Sequence, residues 1–317
     1  MAQIDLSRQP RRLEAALEML VKLTAFVSVF AVALILVFVG KEALPLLTSE
    51  LVHQEVTPAA MLGKYPTVGG QAYLWQPVGE LPKYSLIPLF VGSLKVTFVA
   101  ILVAVPLSIA AAVYVAEFAP KRVREWVKPA IEMLSGVPSV VVGFFALVVL
   151  AGWVQRVFGV EHRLNAWVAG MGLAFAVCPV VFSVSEDALR AVPLSYRSAA
   201  LALGSTRAQT ILRVILPASA PGIGAAVVLG FGRAIGETMI VLLASGNAAL
   251  TDASFGHSVR TLTATIAQEL GEVVVGSAHY HVLFSLGALL FLSTFGINLL
   301  GERVLHRSRQ RLEGKRG

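Results

Sequence analysis

The chain has 317 residues, of which 56% are hydrophobic and only 14% charged, and its formal net charge is +7. Soluble globular proteins carry roughly 25% charged residues, so this composition and a mean hydropathy of +0.75 exclude an ordinary soluble protein and predict a polytopic membrane protein. Its only cysteine, Cys178, excludes an internal disulfide and a cysteine-ligated metal cluster.

The first apolar run follows a basic N-terminal segment. Residues 1–22 include Arg8, Arg11 and Arg12, and residues 23–39 are apolar and just long enough to span a hydrocarbon core. A cleaved signal peptide is the alternative, but its apolar region is usually shorter and followed by small residues. We interpret residues 23–39 as a retained first membrane helix.

The second span is predicted after a long hydrophilic loop. Residues 41–85 are rich in glutamate, proline and glycine, which is typical of an external loop. The apolar stretch at 86–118 contains Pro88, Pro106 and a lone Lys95. We interpret Lys95 as snorkelling to the outer surface, with a role in a transport path as the alternative.

A third apolar segment begins near Ile131, after a basic patch. The sequence 135–139 interrupts its helical pattern because Pro138 lacks a backbone donor. Irregular backbone at membrane depth is tolerated where protein or a water-filled cavity covers it, and a helix restarted at Ser139 would present free N–H groups to an anion. Ser135 and Ser139 are therefore candidate path residues, with an ordinary kink as the alternative.

Three further apolar stretches complete six predicted spans. They lie at residues 166–184, 221–244 and 282–300, and the hydrophilic segments between them are 185–220 and 245–281. In the second of these segments, apolar residues recur at helical spacing and predict an amphipathic helix that packs on the spans or lies in the interface: Val259, Leu262, Ile266, Leu270 and Val273. His257, His279 and His281 lack the partners of a metal site and are assigned to the interface before the last span.

Lysine and arginine are distributed unevenly between the segments on the two sides of the predicted membrane spans. The N-terminus, the second and fourth loops and the tail carry 18 of them, whereas the other three loops carry six. This bias predicts that both termini and the 185–220 loop are cytoplasmic. It leaves a six-helix membrane domain at 23–302 and a basic tail at 303–317, which we expect to contact anionic lipids rather than nucleic acid.

The cytoplasmic loop contains a spaced motif of small residues: Ser198, Ala199, Ala200, Gly204, Val214, Leu216 and Pro217. Small residues give a short helix a slim face that can enter a groove on another protein, and glycine permits a sharp exit. The motif resembles the EAA loop of bacterial ABC importer permeases, with Ser198 in place of the family's Glu and Val214 in place of its Ile. The resemblance implies docking on a separate ATPase subunit, and a solvated connector is the alternative.

A second motif places charge in the middle of the fifth span. Arg233 and Glu237 are spaced i, i+4, so on a helix they share a face and can pair. Insertion of a charged side chain at this depth costs roughly 2.5 to 3.5 kcal/mol, and such residues usually face a cavity and act there. We predict Arg233, Glu237 and Thr238 as path residues, with an ion pair that only locks helices as the alternative.

The Gly-Arg-Ala-Ile-Gly-Glu-Thr sequence at 232–238 and the Gly136–Gly143 run resemble the membrane subunits of the phosphate-specific ABC importer, the PstC and PstA type. The long first loop favours the PstC type. The resemblance implies an all-α, type I ABC importer permease fold without enzymatic activity, cofactor or metal. It also implies a set of partners in the bacterial inner membrane: a second permease (PstA-like or a second copy), two ABC ATPase subunits and a periplasmic or lipoprotein phosphate-binding protein.

Two functional alternatives stay open. In the first, an ABC importer of the same architecture carries molybdate, sulfate or phosphonate instead of phosphate. In a different class, a carrier driven by an ion gradient would use Arg233 and Glu237 as a gate or proton relay, although the docking motif argues against it. A membrane scaffold that senses phosphate is compatible with transport.

Overall fold

A computed structural model describes residues 12–67 and 70–314 of the chain, with side chains from 14 to 303. Arg8 and Arg11 of the predicted basic N-terminal segment lie outside this part, and so do the side chains of Arg12 and of most of the tail. Six of its helices are long and apolar enough to cross a membrane, as predicted. They comprise Glu14–Thr48, Ile87–Phe118, Ser139–Phe158, Ala166–Arg190, Arg207–Gly236 and Ala278–Arg303.

The segment between the first two spans is structured. Helix α1 (Arg12–Ala43) is followed by the short helices α2 (Pro45–Thr48) and α3 (Glu50–Glu55) and by a 3₁₀ turn at Ala60–Leu62. Two antiparallel hairpins follow, which pair β1 (Tyr65–Thr67) with β2 (Gly70–Ala72) and β3 (Trp75–Gln76) with β4 (Lys83–Tyr84). Buried Trp75 and Tyr84 lie opposite each other in the second hairpin, so this hairpin packs on the helices.

The remaining helices run in the order α4 (Ile87–Val113), α5 (Lys121–Leu134), α6 (Ser139–Phe145), α7 (Ala151–Phe158), α8 (Ala166–Arg190), α9 (Leu194–Ala202), α10 (Arg207–Thr210), α11 (Leu216–Gly236), α12 (Met239–Ala244), α13 (Leu262–Glu269) and α14 (Ala278–Gly314). Single π-helical turns extend α4, join α6 to α7 and join α10 to α11: Tyr114–Phe118, Ala146–Leu150 and Ile211–Ile215. Such turns are uncommon and are often found at functional sites.

The bundle is organised around α8. In the most apolar stretch of this helix 67% of the residues are buried, whereas none is buried in that of α1, at the edge of the bundle. Helix α8 packs along α4 on one side and α11 on the other. At Gly170 it approaches α4 so closely that a Cβ atom would overlap the side chain of Val99. Glycine and alanine therefore set the spacing of the central helices.

The third span begins later than predicted. It begins at Ser139 rather than near Ile131, because α5 ends at Leu134 and has no buried residue. The predicted helix restart at Ser139, directly after Pro138, is confirmed. At the other end, α7 continues the span to Phe158, where Gly159 takes a left-handed conformation (φ 63°) and ends the helix.

The fifth span also differs. It begins at Arg207 rather than at Pro221, with Pro217 in the first turn of α11. It is not continuous to Ala244, because the chain leaves the helix at Glu237 (ψ 134°) and re-enters it at Met239. The Thr263 hydroxyl donates a hydrogen bond of 2.9 Å to the Glu237 carbonyl, which is the acceptor that a continuous helix would use.

Candidate functional site

The predicted path residues of the fifth span lie at the break between α11 and α12. Arg233, in the last turn of α11, is exposed, and its Nε donates to the carbonyl of Ala176 on α8 at 3.0 Å. In the described part of the chain no hydrogen bond or ion pair involves its two Nη groups. A guanidinium held at one edge and free at the other can offer two parallel donors to an oxyanion.

The predicted pairing of Arg233 with Glu237 is wrong. Glu237 lies beyond the end of α11 in extended conformation, so the two residues no longer share a helical face. Its Oε1 instead accepts a hydrogen bond of 3.2 Å from the backbone N–H of Thr238. At the break, the Glu237 carboxylate thus binds the backbone of Thr238 and does not neutralise the charge of Arg233.

Ser135 and Ser139 lie at a second break, between α5 and α6. Ser135 is an exposed turn residue whose N–H donates to the carbonyl of Glu132 at 3.0 Å, and Ser139 is half-buried at the start of α6. Helix α6 packs against α12 at Gly143, close to Ile240. The two breaks are therefore joined through the α6–α12 contact, although no hydrogen bond in the described structure links either serine to Arg233.

A loop that we call the strap, residues 246–261, follows α12 and holds the spans together at the start of α8. The backbone N–H groups of Ala166 and Trp167, at the start of α8, donate to strap carbonyls at 3.3 Å. On α4, Lys95 donates through Nζ to the Asp252 carbonyl at 2.5 Å and the Ser254 carbonyl at 2.9 Å. Helix α13 follows the strap directly and is shorter than the predicted amphipathic helix.

The prediction that Lys95 snorkels to the outer surface is wrong. This residue is only 8% exposed, and the strap carbonyls replace water around its ammonium group. The Asp252 carboxylate lies 3.4 Å from it and 3.0 Å from Nδ1 of His257. Burial alone would raise the pKa of Asp252, but the His257 contact and the Lys95 charge lower it below its ordinary value. The carboxylate is therefore ionised at neutral pH.

Replacing Lys95 with methionine should loosen the strap. The Asp252 and Ser254 carbonyls would lose a charged donor, and a hydrogen bond to a charged group is worth about 1.5–3 kcal/mol, so amide hydrogen exchange over residues 252–259 should be accelerated roughly tenfold or more. Hydrogen-exchange mass spectrometry of the purified protein measures this. Lys41→Met is the matched control, because the Lys41 side chain is 77% exposed. Unchanged exchange in Lys95→Met would show that the strap does not depend on this ammonium group.

The Ala-rich motif forms a short helix with a sharp exit. Helix α9 ends in a Schellman arrangement, in which the N–H of Gly204 donates to Leu201 at 2.9 Å and that of Ser205 to Ala200 at 3.1 Å. Gly204 has a φ of 84°, in the left-handed region that favours glycine. The predicted exit at Gly204 is therefore present, and Thr206 caps the next helix through a capping box with Gln209.

A groove of about 490 Å³ opens beside this helix. It is lined by Ser195, Tyr196, Ala199, Ala200, Leu203, Ser205 and Val214. Leu203 at its rim is 87% exposed. Ser198, which stands where the family motif has Glu, donates its hydroxyl to the carbonyl of Leu194 on its own helix. Leu216 is half-buried and Pro217 is exposed, so these two residues start the next helix rather than line the groove.

Sequence reasoning missed an ionic cluster that joins α5 to α8. Nζ of Lys128 lies 2.6 Å from Oε2 of the fully buried Glu186 and 2.9 Å from Oδ1 of Asp187. Burial would lower the pKa of Lys128, but the two carboxylates raise it above its ordinary value. The partners are separated by more than fifty residues in sequence, so no local spacing could indicate them. The cluster fixes α5, which contributes no buried residue of its own.

The three histidines that we assign to the interface contact neighbouring segments. His279 stacks on Tyr84, and its Nε2 lies 3.2 Å from Glu269, which also accepts from Nε1 of Trp75 at 3.0 Å. Burial and the nearby Glu55 and Glu269 carboxylates raise the pKa of Tyr84 to about 12. Nδ1 of His281 is 2.7 Å from the Glu42 carbonyl, and His257 binds the strap. Among the described residues, no three His, Cys, Asp or Glu side chains are grouped to hold a metal ion.

In a comparison with known proteins, residues 104–312 match a family described as "Binding-protein-dependent transport system inner membrane component". The chain is 36% identical over 297 residues to the "Probable ABC transporter permease protein YqgH" of Bacillus subtilis, covering 93% of this chain and 92% of that protein. It is 33% identical over 252 residues to the "Phosphate transport system permease protein PstC" of Mesorhizobium japonicum, covering 74% of this chain and 76% of the relative.

A solved structure supports the fold. It is described as a "bacterial alginate ABC transporter in complex with alginate pentasaccharide-bound periplasmic protein", and one of its chains superposes with a TM-score of 0.59 at 17% identity, covering 94% of this chain and 98% of that one. The architecture is therefore that of the membrane subunits of type I ABC importers, as the sequence motifs predict.

Proposed function

The chain belongs to the family of binding-protein-dependent transport system inner membrane components, and we propose that it is the permease subunit of an ATP-driven importer that moves inorganic phosphate across the inner membrane. Relatives that are about one-third identical over most of the chain are named phosphate transport permeases. Six apolar helices and the Gly-Arg-Ala-Ile-Gly-Glu-Thr sequence support the same function.

The observation that carries this proposal is the free edge of Arg233. One nitrogen of its guanidinium is anchored to the Ala176 carbonyl, and both Nη groups remain available beside a helix break. A planar fork of donors matches two oxygens of a phosphate ion. Placing an arginine in a membrane helix is costly, and residues that bear this cost usually act on a substrate or an ion.

The other path residues supply weaker groups around this fork. Thr238, Ser139 and Ser135 offer neutral donors at the two helix breaks, and the Glu237 carboxylate lies near the break without pairing with Arg233. A cage of cations would retain phosphate, whereas one arginine next to a carboxylate permits binding and release. We assign these four residues to the substrate path on this basis.

In this proposal, α9 transmits the ATP-driven movement of the ATPase to the substrate path. It docks on a separate ATPase, with Ala199, Ala200 and the groove beside them as the contact surface. Gly204 gives the helix its exposed, sharply ended shape, and Ser198 leaves one polar contact of the family motif unfilled. Closure of the ATPase dimer would push α9, and α11, which starts at Leu216-Pro217, would carry the movement towards Arg233.

The proposed assembly contains two permeases, two ATPases and a soluble phosphate-binding protein outside. The second permease is PstA-like or another copy of this chain, and it would cover the exposed side of Arg233. The chain itself catalyses no reaction. The lysine and arginine distribution supports a cytoplasmic position for both termini and residues 185–220. The proposed membrane domain is residues 23–302, with external loops at 41–85 and 245–281.

Two alternatives are distinguishable from this function. An importer for molybdate, sulfate or phosphonate would use the same fork, because these anions also present paired oxygens. A gradient-driven carrier that relays protons between Arg233 and Glu237 is less well supported, because no hydrogen bond or ion pair links these residues in the described structure.

Labelled-phosphate uptake tests the function. The chain and its partner subunits are expressed in cells that lack their own phosphate importer, and uptake is measured with and without vanadate. We expect vanadate-sensitive uptake that excess phosphate suppresses and excess molybdate or sulfate leaves nearly unchanged, because the binding protein and the path both select the ion.

Two results would overturn the assignment in different ways. If ATP hydrolysis responds to another oxyanion and no phosphate is taken up, the chain is still an importer subunit, but its substrate is the other oxyanion. Phosphate uptake that depends on the membrane potential and is insensitive to vanadate would favour the gradient-driven carrier.

A further inference from the structure

The end of α4 is held by arginines from other elements. The last carbonyls of a helix have no partner within the helix, and α4 ends in a π-helical turn followed by extended Ala119. Arg124 of α5 donates to the carbonyls of Val115 and Ala116 at 3.1 and 2.9 Å. Arg207 of α10 donates to the carbonyl of Glu117, the next residue, and lies over the ring of Phe118.

A third arginine binds the side chain in this turn. Nη2 of Arg197, on α9, lies 2.5 Å from Oε1 of Glu117, and its Nε lies 3.4 Å from Oε2. The Glu117 side chain is only 9% exposed. The same guanidinium donates to the carbonyls of Val192 at 2.7 Å and Leu189 at 3.1 Å, at the end of α8. Arg197 therefore joins three elements at one point.

Apolar packing gives α9 little attachment of its own. Ala200 is its only buried residue in the described structure, and Leu194, Leu201 and Leu203 are largely exposed. A helix with so small a buried face transmits force mainly through specific contacts. The ion pair of Arg197 with buried Glu117 is such a specific contact, and it links α9 to the end of α4.

We propose that the Arg197–Glu117 pair is the joint through which movement of α9 reaches α4, the second span. This inference rests on the proposed docking of α9 on an ATPase, but it does not depend on which anion is carried. Because α4 packs along the central helix α8, a displacement at Glu117 moves the bundle rather than one helix end. Arg197 is thus a positioning residue, which contacts neither the ATPase groove nor the substrate path.

The alternative is that the pair only stabilises the fold. A purely structural pair would change assembly and stability, whereas a joint changes the amount of substrate moved for each ATP hydrolysed. The test therefore measures this ratio in the intact transporter, purified through a tag on this chain and reconstituted in liposomes. Arg197→Ala, Glu117→Gln and the double variant are compared with the wild type.

We expect each single variant to lower the number of phosphate ions transported per ATP about tenfold, which corresponds to about 1.4 kcal/mol, while the partner subunits still co-purify. The double variant should be no worse than either single one, because both remove the same contact. Arg122→Ala is the matched control, since Arg122 is an exposed arginine of neighbouring α5 without a hydrogen bond or ion pair in the described structure. An unchanged ratio in Arg197→Ala would overturn the proposal.

A distance measurement separates this inference from the phosphate assignment. Spin labels are placed at exposed Leu201 on α9 and exposed Tyr114 in the last turn of α4, in a Cys178→Ser background. In the wild type we expect the same label distance in the nucleotide-free and ATP–vanadate states, because the two elements move together. In Arg197→Ala the distance should differ between the states, even if another oxyanion proves to be the substrate. An identical distance in both states of the variant would show that other contacts couple α9 to α4.

Discussion

Replacing Arg233 with alanine should abolish measurable phosphate uptake while the transporter still assembles. Within the described residues the side chain makes one hydrogen bond, from Nε to the Ala176 carbonyl, so its loss costs the fold little. A phosphate ion would lose two charge-assisted hydrogen bonds worth about 1.5–3 kcal/mol each. A net loss of about 3 kcal/mol corresponds to a rate roughly 100-fold lower. Uptake of labelled phosphate and co-purification of the partner subunits measure the two effects.

The control variants distinguish charge, shape and position. Arg233→Lys keeps the charge but not the planar fork, so its uptake should fall between those of the wild type and Arg233→Ala. Arg156→Ala removes an exposed arginine whose hydrogen bonding, in the part of the chain that the structure describes, is limited to its own helix, from Nε to the Gly152 carbonyl. This variant should transport normally. Normal uptake by Arg233→Ala would remove this residue from the substrate path.

Replacing Gly204 with valine should separate the permease from its ATPase. Gly204 has a φ of 84°, and a left-handed backbone costs an L-residue roughly 1–2 kcal/mol, more for a β-branched side chain. The chain would avoid this strain by changing the exit of α9, which displaces Leu203 and the groove beside Ala199. We expect co-purification of the ATPase to fall about tenfold or more, with a parallel loss of uptake.

Two further substitutions test whether the backbone conformation is the cause. Asparagine tolerates the left-handed region better than other side chains, so Gly204→Asn should retain more ATPase than Gly204→Val. Gly271 has no positive φ and open space around it, so Gly271→Val should bind ATPase normally. If Gly204→Val also bound ATPase normally, the exit at this residue would not be needed for docking.

The sequence predicts the spans because their signals are local. Long apolar runs, Pro138 before Ser139 and the glycine at position 204 each act within one or two helical turns, and the structure places a helix start or end at each. The fourth span begins at Ala166, as predicted, where Asn165 caps α8 through a hydrogen bond to Val168. Physical cues that operate on neighbouring residues can therefore be read without a structure.

The break at Glu237 has only a weak local signal. Gly236 is the last residue of α11, but glycine is tolerated inside membrane helices, and the i, i+4 spacing of Arg233 and Glu237 favours a continuous helix. The bond from Thr263 to the Glu237 carbonyl spans 26 residues. The contacts of Lys95 with the strap and of Arg197 with Glu117 span 157 and 80 residues. Such pairings depend on the packed bundle, so a single sequence cannot reveal them.

The π-helical turns affect how the chain tolerates insertions and deletions. A bond from residue i to i+5 encloses one residue more than an α-helical bond, so each turn holds an extra residue without changing the direction of the faces beyond it. Elsewhere in a helix, deletion of one residue rotates everything after it by about 100°. Single-residue deletions within Tyr114–Phe118, Ala146–Leu150 or Ile211–Ile215 would restore plain α-helix and leave later faces in register. These turns are therefore places where homologous permeases can differ in length by one residue and still present matching surfaces to their neighbours.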